Sequence, residues 1–185
     1  MELATDRLLL RDFTPADVPA VLRYQRDPRY LRFYPESWAE RSDEAVAAFV
    51  QMWIDYRVAT PRRKFQLAIT RPGDDTPIGN VGIRRKDGNQ WEADIGYELN
   101  PEHWKHGYAT EAARAVVAFG FRELGLHRVS ASCIADNLAS VAVLERTGLR
   151  VEGRLREDGY FRGRWWDTLV WGLLEREWRT SAGRR

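Results

Sequence analysis

Apolar residues recur at two different spacings along this chain. Between residues 65 and 83 they alternate with polar residues, which is typical of β-strands that bury one face. Between residues 109 and 124 they recur every three or four positions, which predicts an amphipathic helix that packs on a sheet. The sequence therefore predicts a protein that combines strands and helices around one hydrophobic core.

The predicted elements follow one another without an internal repeat, a low-complexity tract or a linker. Strands dominate before the long helix, a strand–helix–strand unit follows it, and the last two strands share a turn near Arg162 and Gly163. This order predicts an α+β (mixed α/β) fold. The elements are, in chain order, a strand at 8–10, helices that begin near Thr14 and Ser42 with an aromatic-rich loop at 28–38 between them, strands at 65–69, 78–83 and 95–99, the helix at 109–124, a strand at 127–134, and a helix that is capped by Asp136 or Asn137 and ends at Gly148.

The composition fits one folded unit. With 185 residues, of which 44% are apolar and 30% charged, the chain is long enough for one buried core and short for two, so we expect a single domain over residues 1–185. Its 29 basic and 27 acidic residues give a net charge of +2, which lacks the strong positive field of a nucleic-acid-binding protein. The eight tryptophans do not follow basic residues along one groove either.

The sequence pattern favours a cytoplasmic protein without a membrane partner. The N-terminal residues MELATDRLLLRDF interrupt their apolar residues with charged ones and do not form the apolar core of a signal peptide. The longer apolar stretches, such as AVVAFGF at 115–121, are too short to span a bilayer. The one cysteine, Cys133, lies in a predicted strand, where we expect a buried structural thiol.

The junction between the strand at 95–99 and the helix that follows is the main candidate binding site. Asn100 and Pro101 end the strand, and Gly107 stands where the helix begins. The first backbone N–H groups of a helix have no intrahelical partner and favour an anion such as phosphate. Gly107 carries no side chain that would hold an anion away, and the small side chain of Ala109 likewise leaves room for an anion at this surface. The alternative is a glycine that serves only the turn.

Four segments that together cover nearly the whole chain match one known family in their order. They are TDRLLLRDFTPAD at 5–17, IGYELNPEHWKHGYATEAARAVVAFGF at 95–121, GLHRVSASCIADNLASVAVLERTGLRVEG at 125–153 and RGRWWDTLVWGLLEREW at 162–178. With these segments the chain resembles the GNAT superfamily of acetyl-CoA-dependent N-acetyltransferases, in particular its ribosomal-protein N-terminal acetyltransferase-like (RimJ/RimL-type) branch.

The resemblance includes the family's pyrophosphate-loop pattern, Q/R-x-x-G-x-G/A. Trp104, Gly107 and Ala109 occupy its defined positions. Trp104 replaces the Gln or Arg of the general pattern, although this branch often carries Trp there. His106 stands where Lys or Arg is common. These departures concern side-chain contacts with phosphate and leave the use of backbone amides unaffected.

The resemblance implies a fold, a co-substrate and a set of binding residues. The fold is the GNAT acyl-CoA N-acyltransferase fold, a mixed and largely antiparallel sheet whose central parallel strands splay apart to admit pantetheine. The co-substrate is acetyl-CoA, and no metal is expected, because His103 and His106 have no third ligand nearby. The implied coenzyme-binding residues are Leu99, Trp104, Lys105, His106, Gly107, Tyr108, Ala109, Thr110, Asn137, Ser140 and Arg146.

Glu98 is the candidate general base, because a carboxylate beside the thioester could accept the ammonium proton directly or through one water. The alternative is a strand glutamate that faces solvent or pairs with an arginine. The resemblance further implies that Asn137 hydrogen-bonds the pantetheine, that Ser140 protonates the departing thiolate, and that a backbone N–H near Leu99 stabilises the oxyanion. The alternatives are a helix cap for Asn137 and a plain polar helix residue for Ser140.

These residues predict an N-acetyltransferase that moves acetyl to a primary amine by direct attack in a ternary complex. The branch favours a protein N-terminal α-amine as acceptor, while polyamines, amino acids and antibiotic amines stay open. A non-catalytic acyl-CoA-binding module is the alternative from another class. A Rossmann domain is disfavoured, because only Gly107 of a G-x-G-x-x-G fingerprint is present. We expect a monomer or homodimer without a nucleic-acid partner.

Overall fold

One sheet of eight strands organises the computed structural model, which describes residues 1–182. The strands are β1 (Glu2–Ala4), β2 (Leu9–Asp12), β3 (Lys64–Arg71), β4 (Asp74–Arg85), β5 (Glu92–Leu99), β6 (Arg128–Ile134), β7 (Arg150–Phe161) and β8 (Arg164–Leu174). Their order across the sheet is β1-β2-β3-β4-β5-β6-β8-β7. Among these strands, β5 and β6 form the one parallel pair.

The same residues contain seven α-helices, which connect the strands or cover the sheet. They are α1 (Val18–Gln25), α2 (Pro28–Leu31), α3 (Glu36–Ala39), α4 (Asp43–Val58), α5 (Tyr108–Arg122), α6 (Leu138–Thr147) and α7 (Glu175–Ala182). The predicted cap of α4 is confirmed, since Ser42 Oγ accepts a hydrogen bond from the backbone of Ala45 at 3.3 Å. Short 3-10 turns at Pro15–Asp17 and Pro101–His103 precede α1 and α5.

The two faces of the sheet carry separate hydrophobic clusters. On one face, Leu67 of β3 packs in a cluster with the buried side of α5, which includes Val116. On the other face, the neighbouring Ala68 packs in a cluster with α1 and α4, which contribute Val21 and Val50. Successive residues of a strand point to opposite faces, so this alternation follows directly from the sequence pattern. The apolar face predicted for α5 is confirmed.

The parallel strands β5 and β6 separate after a short paired stretch. Residues 92–94 lie opposite 128–130. Beyond these pairs β5 continues to Leu99 and β6 to Ile134, but the two strands no longer pair with each other. The predicted splay of the central strands is therefore confirmed, and it leaves one edge of β5 facing a gap in the sheet.

Residues 28–38, which we predicted to be a loop, contain α2 and most of α3. Asp27 caps α2, and its Oδ1 accepts a hydrogen bond from the backbone of Arg29 at 2.8 Å. Pro28 occupies the first helical position, where the missing N–H costs no hydrogen bond. Pro35 precedes α3 in a similar way. The prediction was wrong because these prolines begin helices and do not interrupt them.

The C-terminal helix α7 was not predicted. The sequence predicts two strands at the end of the chain, whereas β8 stops at Leu174 and the chain becomes helical at Glu175. Trp178 of α7 packs on Phe121 of α5, with the ring centroids 5.3 Å apart. This tertiary contact stabilises a highly charged helix of 8 residues, which is too short to be stable by itself.

Candidate active site

The N-terminal end of α5 offers backbone donors without a side-chain cap. Gly107 is the N-cap residue, and its φ of 81° is in the left-handed region that glycine adopts readily. The first hydrogen bond of the helix runs from the Glu111 N–H to the Gly107 carbonyl oxygen at 3.0 Å. The N–H groups of residues 108–110 precede that bond and have no partner within the helix. They form the kind of cradle that binds phosphate.

Arg7, just before β2, adds a positive charge beside this cradle. Its guanidinium donates to the carbonyl oxygen of His106 at 3.0 Å, pairs with Glu111 at 2.6 Å and lies 4.9 Å from the centre of the Tyr108 ring. Burial opposes ionisation of Glu111, but hydrogen bonds from Thr5 and Arg7 together outweigh burial and lower the pKa of its carboxyl. Sequence reasoning missed Arg7, because about a hundred residues separate it from the loop.

Trp104 connects the loop before α5 to the end of β5. Its indole N–H donates to the carbonyl oxygen of Leu99 at 2.8 Å. The carbonyl oxygen of Trp104 lies 2.7 Å from Nδ1 of His106, and Lys105 between them has a φ of 65°. The side chains of Lys105 and His106 are exposed, and the His106 ring stacks on Tyr108 at 5.6 Å. The predicted loop residues are therefore adjacent in space, and Trp104 acts on the strand as well as on the loop.

The backbone of β5 presents donors to the gap between the parallel strands. The Asn100 N–H donates to the carbonyl oxygen of Ile78, a residue of β4, at 2.8 Å. Backbone groups of consecutive strand residues point to opposite edges, so the N–H groups of Leu99 and Tyr97 point away from β4 and toward the gap. An extended ligand in the gap would meet these N–H groups as an additional strand does.

Glu98 lies on the α1 side of the sheet, within a group of hydrogen-bond donors. Its Oε2 accepts from the Tyr24 hydroxyl at 3.1 Å, from Gln25 Nε2 at 3.0 Å and from Asn80 Nδ2 at 2.7 Å. All three partners are buried. The alternative of a glutamate that merely faces solvent or pairs with an arginine does not describe this arrangement. The partners come from α1 and β4, which no local pattern connects to residue 98.

A row of aromatic rings lies next to this carboxylate. Neighbouring ring centroids are 5.6 Å apart for Tyr24 and Tyr30, 4.8 Å for Tyr30 and Tyr34, and 4.3 Å for Tyr34 and Trp38. Burial, followed by the charge of Glu98, raises the pKa of each of the three tyrosines. The phenols therefore stay protonated at neutral pH. Aromatic faces beside a carboxylate provide a favourable environment for an ammonium group.

The turn between β7 and β8 closes over this aromatic row. Arg162 in the turn donates from its backbone N–H to Oε1 of Glu36 at 2.8 Å. Its guanidinium donates to the carbonyl oxygens of Tyr34 and Leu31, each at 3.0 Å. The predicted turn is present, but its contacts with residues 31–36 were not predicted. These contacts hold the α2–α3 segment in place beside Glu98.

Ser140 meets Tyr97 between α6 and β5. The Tyr97 hydroxyl lies 2.8 Å from Oγ of Ser140 and 3.0 Å from its carbonyl oxygen. Asn137 caps α6, since its Oδ1 accepts from the Ser140 N–H at 3.2 Å, so the predicted cap is confirmed. Burial raises the pKa of the half-buried Cys133 thiol on β6. The Tyr97 side chain thus reaches from one splayed strand to the helix that follows the other.

Arg146 lies apart from the other predicted residues. It is exposed in the last turn of α6, where its carbonyl oxygen accepts from Nε of Arg114 at 2.9 Å. Arg114 comes seven residues after Gly107, which corresponds to about 10 Å along α5. The structure does not bring Arg146 into contact with the loop at 104–109, so its contact with a coenzyme phosphate stays a prediction.

The described residues contain neither a metal-binding cluster nor a spanning helix. No group of three or more His, Cys, Asp or Glu side chains converges among them in a way that could hold a metal ion. Burial lowers the pKa of His103, whose partner in the i, i+3 pair, His106, stacks on an aromatic ring. No helix in this part of the chain combines the length and apolar character that crossing a bilayer requires.

Known proteins are similar to this chain in sequence and fold. The family model of the acetyltransferase (GNAT) domain matches residues 7–150. The uncharacterized N-acetyltransferase YnaD of Bacillus subtilis is 32% identical over 178 residues, which cover 96% of this chain and 99% of that protein. For the uncharacterized N-acetyltransferase YoaA of the same organism the identity is 33% over 173 residues, which cover 94% and 96%.

Solved structures of acetyltransferases are similar to this chain in fold. A GNAT-family acetyltransferase from Bacillus anthracis is similar with a TM-score of 0.81 at 29% identity, over 95% of this chain and 99% of that one. The ribosomal L7/L12 alpha-N-protein acetyltransferase RimL, solved in complex with coenzyme A, has a TM-score of 0.80 at 20% identity, over 94% and 98%. The uncapped start of α5 and the gap beside β5 fit the diphosphate and the pantetheine arm of such a coenzyme. The chain is an acetyl-CoA-dependent N-acetyltransferase and belongs to the GNAT family.

Proposed function

We propose that this enzyme acetylates a protein N-terminal α-amine by direct attack in a ternary complex. The observation that carries the proposal is the environment of Glu98, a carboxylate with three donors on one oxygen and aromatic rings around it, on the strand that borders the gap. RimL, which shares the fold, is named as an alpha-N-protein acetyltransferase. A carboxylate among aromatic rings suits a primary amine that arrives as a cation.

The proposed reaction assigns each group a separate task. When bound, acetyl-CoA supplies the thioester carbonyl that the amine attacks. The amides of residues 108–110, with Lys105 and His106 at the surface of the loop, hold its diphosphate, and the β5 edge aligns its pantetheine arm. The Leu99 N–H faces the gap and stabilises the oxyanion.

Proton transfers occur on both sides of the thioester. Glu98 takes the ammonium proton through Oε1, since the three donors occupy Oε2. Ser140, whose hydroxyl hydrogen-bonds Tyr97, gives a proton to the thiolate and is reprotonated by the second proton that the attacking nitrogen releases. Asn137 holds the first turn of α6 in place and, through the remaining capacity of its amide, reaches the pantetheine.

A thiol-release assay tests the proposed acceptor. Peptides with free N-termini, polyamines, free amino acids and aminoglycosides are compared at equal acetyl-CoA concentration. We expect the highest kcat/KM for a peptide, and no reaction when its α-amine is blocked. A polyamine or an antibiotic as the best substrate would contradict the acceptor class. Saturable acetyl-CoA binding by calorimetry without turnover of any amine would favour the binding-module alternative.

Substitutions test the two proton-transfer groups. We expect Glu98→Gln and Ser140→Ala each to lower kcat by about a hundredfold, the usual scale of general acid–base catalysis, with acetyl-CoA affinity retained. Glu102→Gln, an exposed glutamate in the 3-10 turn beside the site, is the matched control and should act like the wild type. Wild-type activity in Glu98→Gln would remove Glu98 from the mechanism.

A further inference from the structure

A row of polar side chains crosses the sheet beneath α1 and α4 and ends at Glu98. The other members are Arg84 and Asn80 of β4 and Gln66 of β3. Asn80 is 2% exposed and Gln66 is 4% exposed, although both side chains end in a polar carboxamide group. Buried polar groups are unfavourable unless they are hydrogen-bonded, and these residues bond one another.

The hydrogen bonds along this row all run in one direction. Nη1 of Arg84 donates to Oε1 of Gln66 at 3.2 Å, and Nε2 of Gln66 donates to Oδ1 of Asn80 at 2.6 Å. Asn80 Nδ2 in turn donates to Oε2 of Glu98 at 2.7 Å. A guanidinium can only donate and an ionised carboxylate can only accept. The charged groups at the two ends of the row therefore determine the orientation of the side-chain amides of Gln66 and Asn80.

Two glycines leave the space that the row occupies. Gly82 and Gly96 lie opposite each other on β4 and β5. A Cβ on Gly82 would overlap the side-chain amide of Gln66, and one on Gly96 would lie 3.0 Å from Nη2 of Arg84. Nε of Arg84 also donates to Asp94 at 3.0 Å, which holds the guanidinium over the strands. Because Gly82 and Gly96 have no side chains, the long side chains of Gln66 and Arg84 can lie flat against the sheet at these positions.

We propose that Gln66 and Arg84 are positioning residues for the acceptor side of the reaction. They keep the NH₂ group of Asn80 turned toward Glu98, so that Oε2 is occupied and Oε1 is left for the acceptor ammonium. Arg84 lies four residues beyond Asn80 on β4, which corresponds to about 13 Å along the strand from the position opposite Glu98. It therefore acts through Gln66 and Asn80 and does not touch the substrate. This inference rests on the proposed role of Glu98 as the general base.

The alternative orientation of Asn80 would disturb Glu98 directly. If the amide turned round, its carbonyl oxygen would face Oε2, and two acceptors would meet in a buried place. The Tyr24 hydroxyl, which now accepts from Asn80 at 2.9 Å and donates to Glu98, would turn toward the amide oxygen. Glu98 would lose two of its three donors.

Gln66→Glu tests the direction of the row, because it keeps the shape of the side chain and removes its donor. The new carboxylate still accepts from Arg84, but Asn80 must then turn its NH₂ group toward it. We expect kcat for the acceptor to fall by about tenfold or more, because a charge-assisted hydrogen bond becomes a repulsive contact. The Kd for acetyl-CoA should change by less than about twofold, because Gln66 lies on β3 and two strands, β4 and β5, separate it from the gap that would hold the coenzyme.

Arg84→Met removes the fixed donor and should lower kcat about threefold to tenfold, whereas Arg84→Lys should restore part of the loss. Arg71→Met, which removes an arginine of β3 paired with the half-exposed Asp74, is the matched control and should keep wild-type kcat. If Gln66→Glu does not fold, Gln66→Met takes its place with the same measurements. Wild-type kcat in folded Gln66→Glu and Arg84→Met would overturn the inference, and so would a parallel loss of acetyl-CoA binding.

The side-chain amide of Asn80 gives a readout that does not depend on turnover. Its NH₂ protons, assigned with Asn80→Asp, should exchange slowly in the wild type and change their chemical shifts in Gln66→Glu. Unchanged signals would overturn the inference even if no acceptor were found. Failure of the proposed function can be distinguished from failure of this inference. The proposed function fails if the wild type has no turnover or if Glu98→Gln has full activity.

Discussion

The indole N–H of Trp104 donates to the carbonyl oxygen of Leu99 at 2.8 Å, and this bond holds the loop before α5 against the end of β5. The loop leads into the first turn of α5, whose amides are proposed to bind the diphosphate, and the strand carries the N–H proposed to stabilise the oxyanion. Their spacing must match the length of one coenzyme. A tryptophan at this position can hold that spacing from within the protein, where the general family pattern has Gln or Arg.

Trp104→Phe removes this hydrogen bond and keeps an aromatic ring. We expect the Kd for acetyl-CoA to rise about fivefold, since a hydrogen bond between neutral groups contributes about 1 kcal/mol. Isothermal titration calorimetry measures the change. Trp91→Phe, at an indole that is 59% exposed and remote from the loop, is the control. Equal affinities of the wild type and Trp104→Phe would show that the bond does not orient the loop.

Gly107→Ala adds a methyl group where the anion is expected to approach. Gly107 has a φ of 81°, and its new Cβ would lie 3.5 Å from Arg7, which is ordinary contact. Gly73 has the same φ and open space around it, so Gly73→Ala is a control for backbone strain. Both variants should lose about 1 kcal/mol of unfolding free energy. Only Gly107→Ala should weaken acetyl-CoA binding, by about tenfold; equal affinities in the two variants would contradict the cradle.

Arg162→Ala removes the two guanidinium hydrogen bonds between the β7–β8 turn and the segment that carries the aromatic row, and it keeps the backbone bond to Glu36. We expect KM for the acceptor to rise about threefold to tenfold, because two guanidinium hydrogen bonds to backbone carbonyls are lost. Acetyl-CoA affinity should stay unchanged. Arg156→Ala, at an exposed arginine of β7, is the comparison variant. A rise in KM that is equal in both variants would indicate a general effect of charge on acceptor binding.

We expect four buried or partly buried tyrosines to make the stability of this protein sensitive to alkaline pH. Burial raises the pKa of Tyr24, Tyr30, Tyr34 and Tyr97 above its ordinary value of about 10. Above about pH 10 the unfolded chain releases these protons while the folded protein keeps them, so the free energy of unfolding falls as pH rises and is unaffected below that value. Urea titrations between about pH 8 and about pH 11 measure this, and a constant free energy across that interval would contradict it.

Replacing one of these tyrosines separates their effect from general alkaline instability. Tyr30 is suitable, because burial of its hydroxyl is the largest cause that raises its pKa. Tyr30→Phe removes one group whose ionisation is suppressed by folding. The decline in unfolding free energy above about pH 10 should therefore be less steep than in the wild type. An equal slope would exclude Tyr30 as a source of the effect.

Local patterns in the sequence were sufficient for most elements of the fold. The buried face of α5 follows from the spacing of Ala112, Val116 and their neighbours, and the caps Ser42 and Asn137 are recognisable from residue type and position. Gly107 was identified as the start of α5 for a similar reason. Each of these features depends on residues within one or two helical turns. The matched motifs likewise carried enough information to predict the family.

The environment of the proposed general base depended on the tertiary structure. Glu98 was chosen from the sequence, but its donors lie 74, 73 and 18 residues away. Arg7 and Arg162 reach their backbone acceptors across even longer separations. The helices in 28–38 and α7 escaped prediction, because proline position and ring packing outweighed the local pattern.

The sequence alone therefore determined most of the elements, two of their caps and the family, because these follow from spacing and from residue types close together in the chain. Only the tertiary structure decided which donors surround Glu98, where Arg7 and Arg162 bind, and that a directed row of hydrogen bonds runs from Arg84 to Glu98. The reason is physical: strand order and the packing of helices bring residues from distant parts of the chain within hydrogen-bond distance, and no local periodicity encodes which of them will meet.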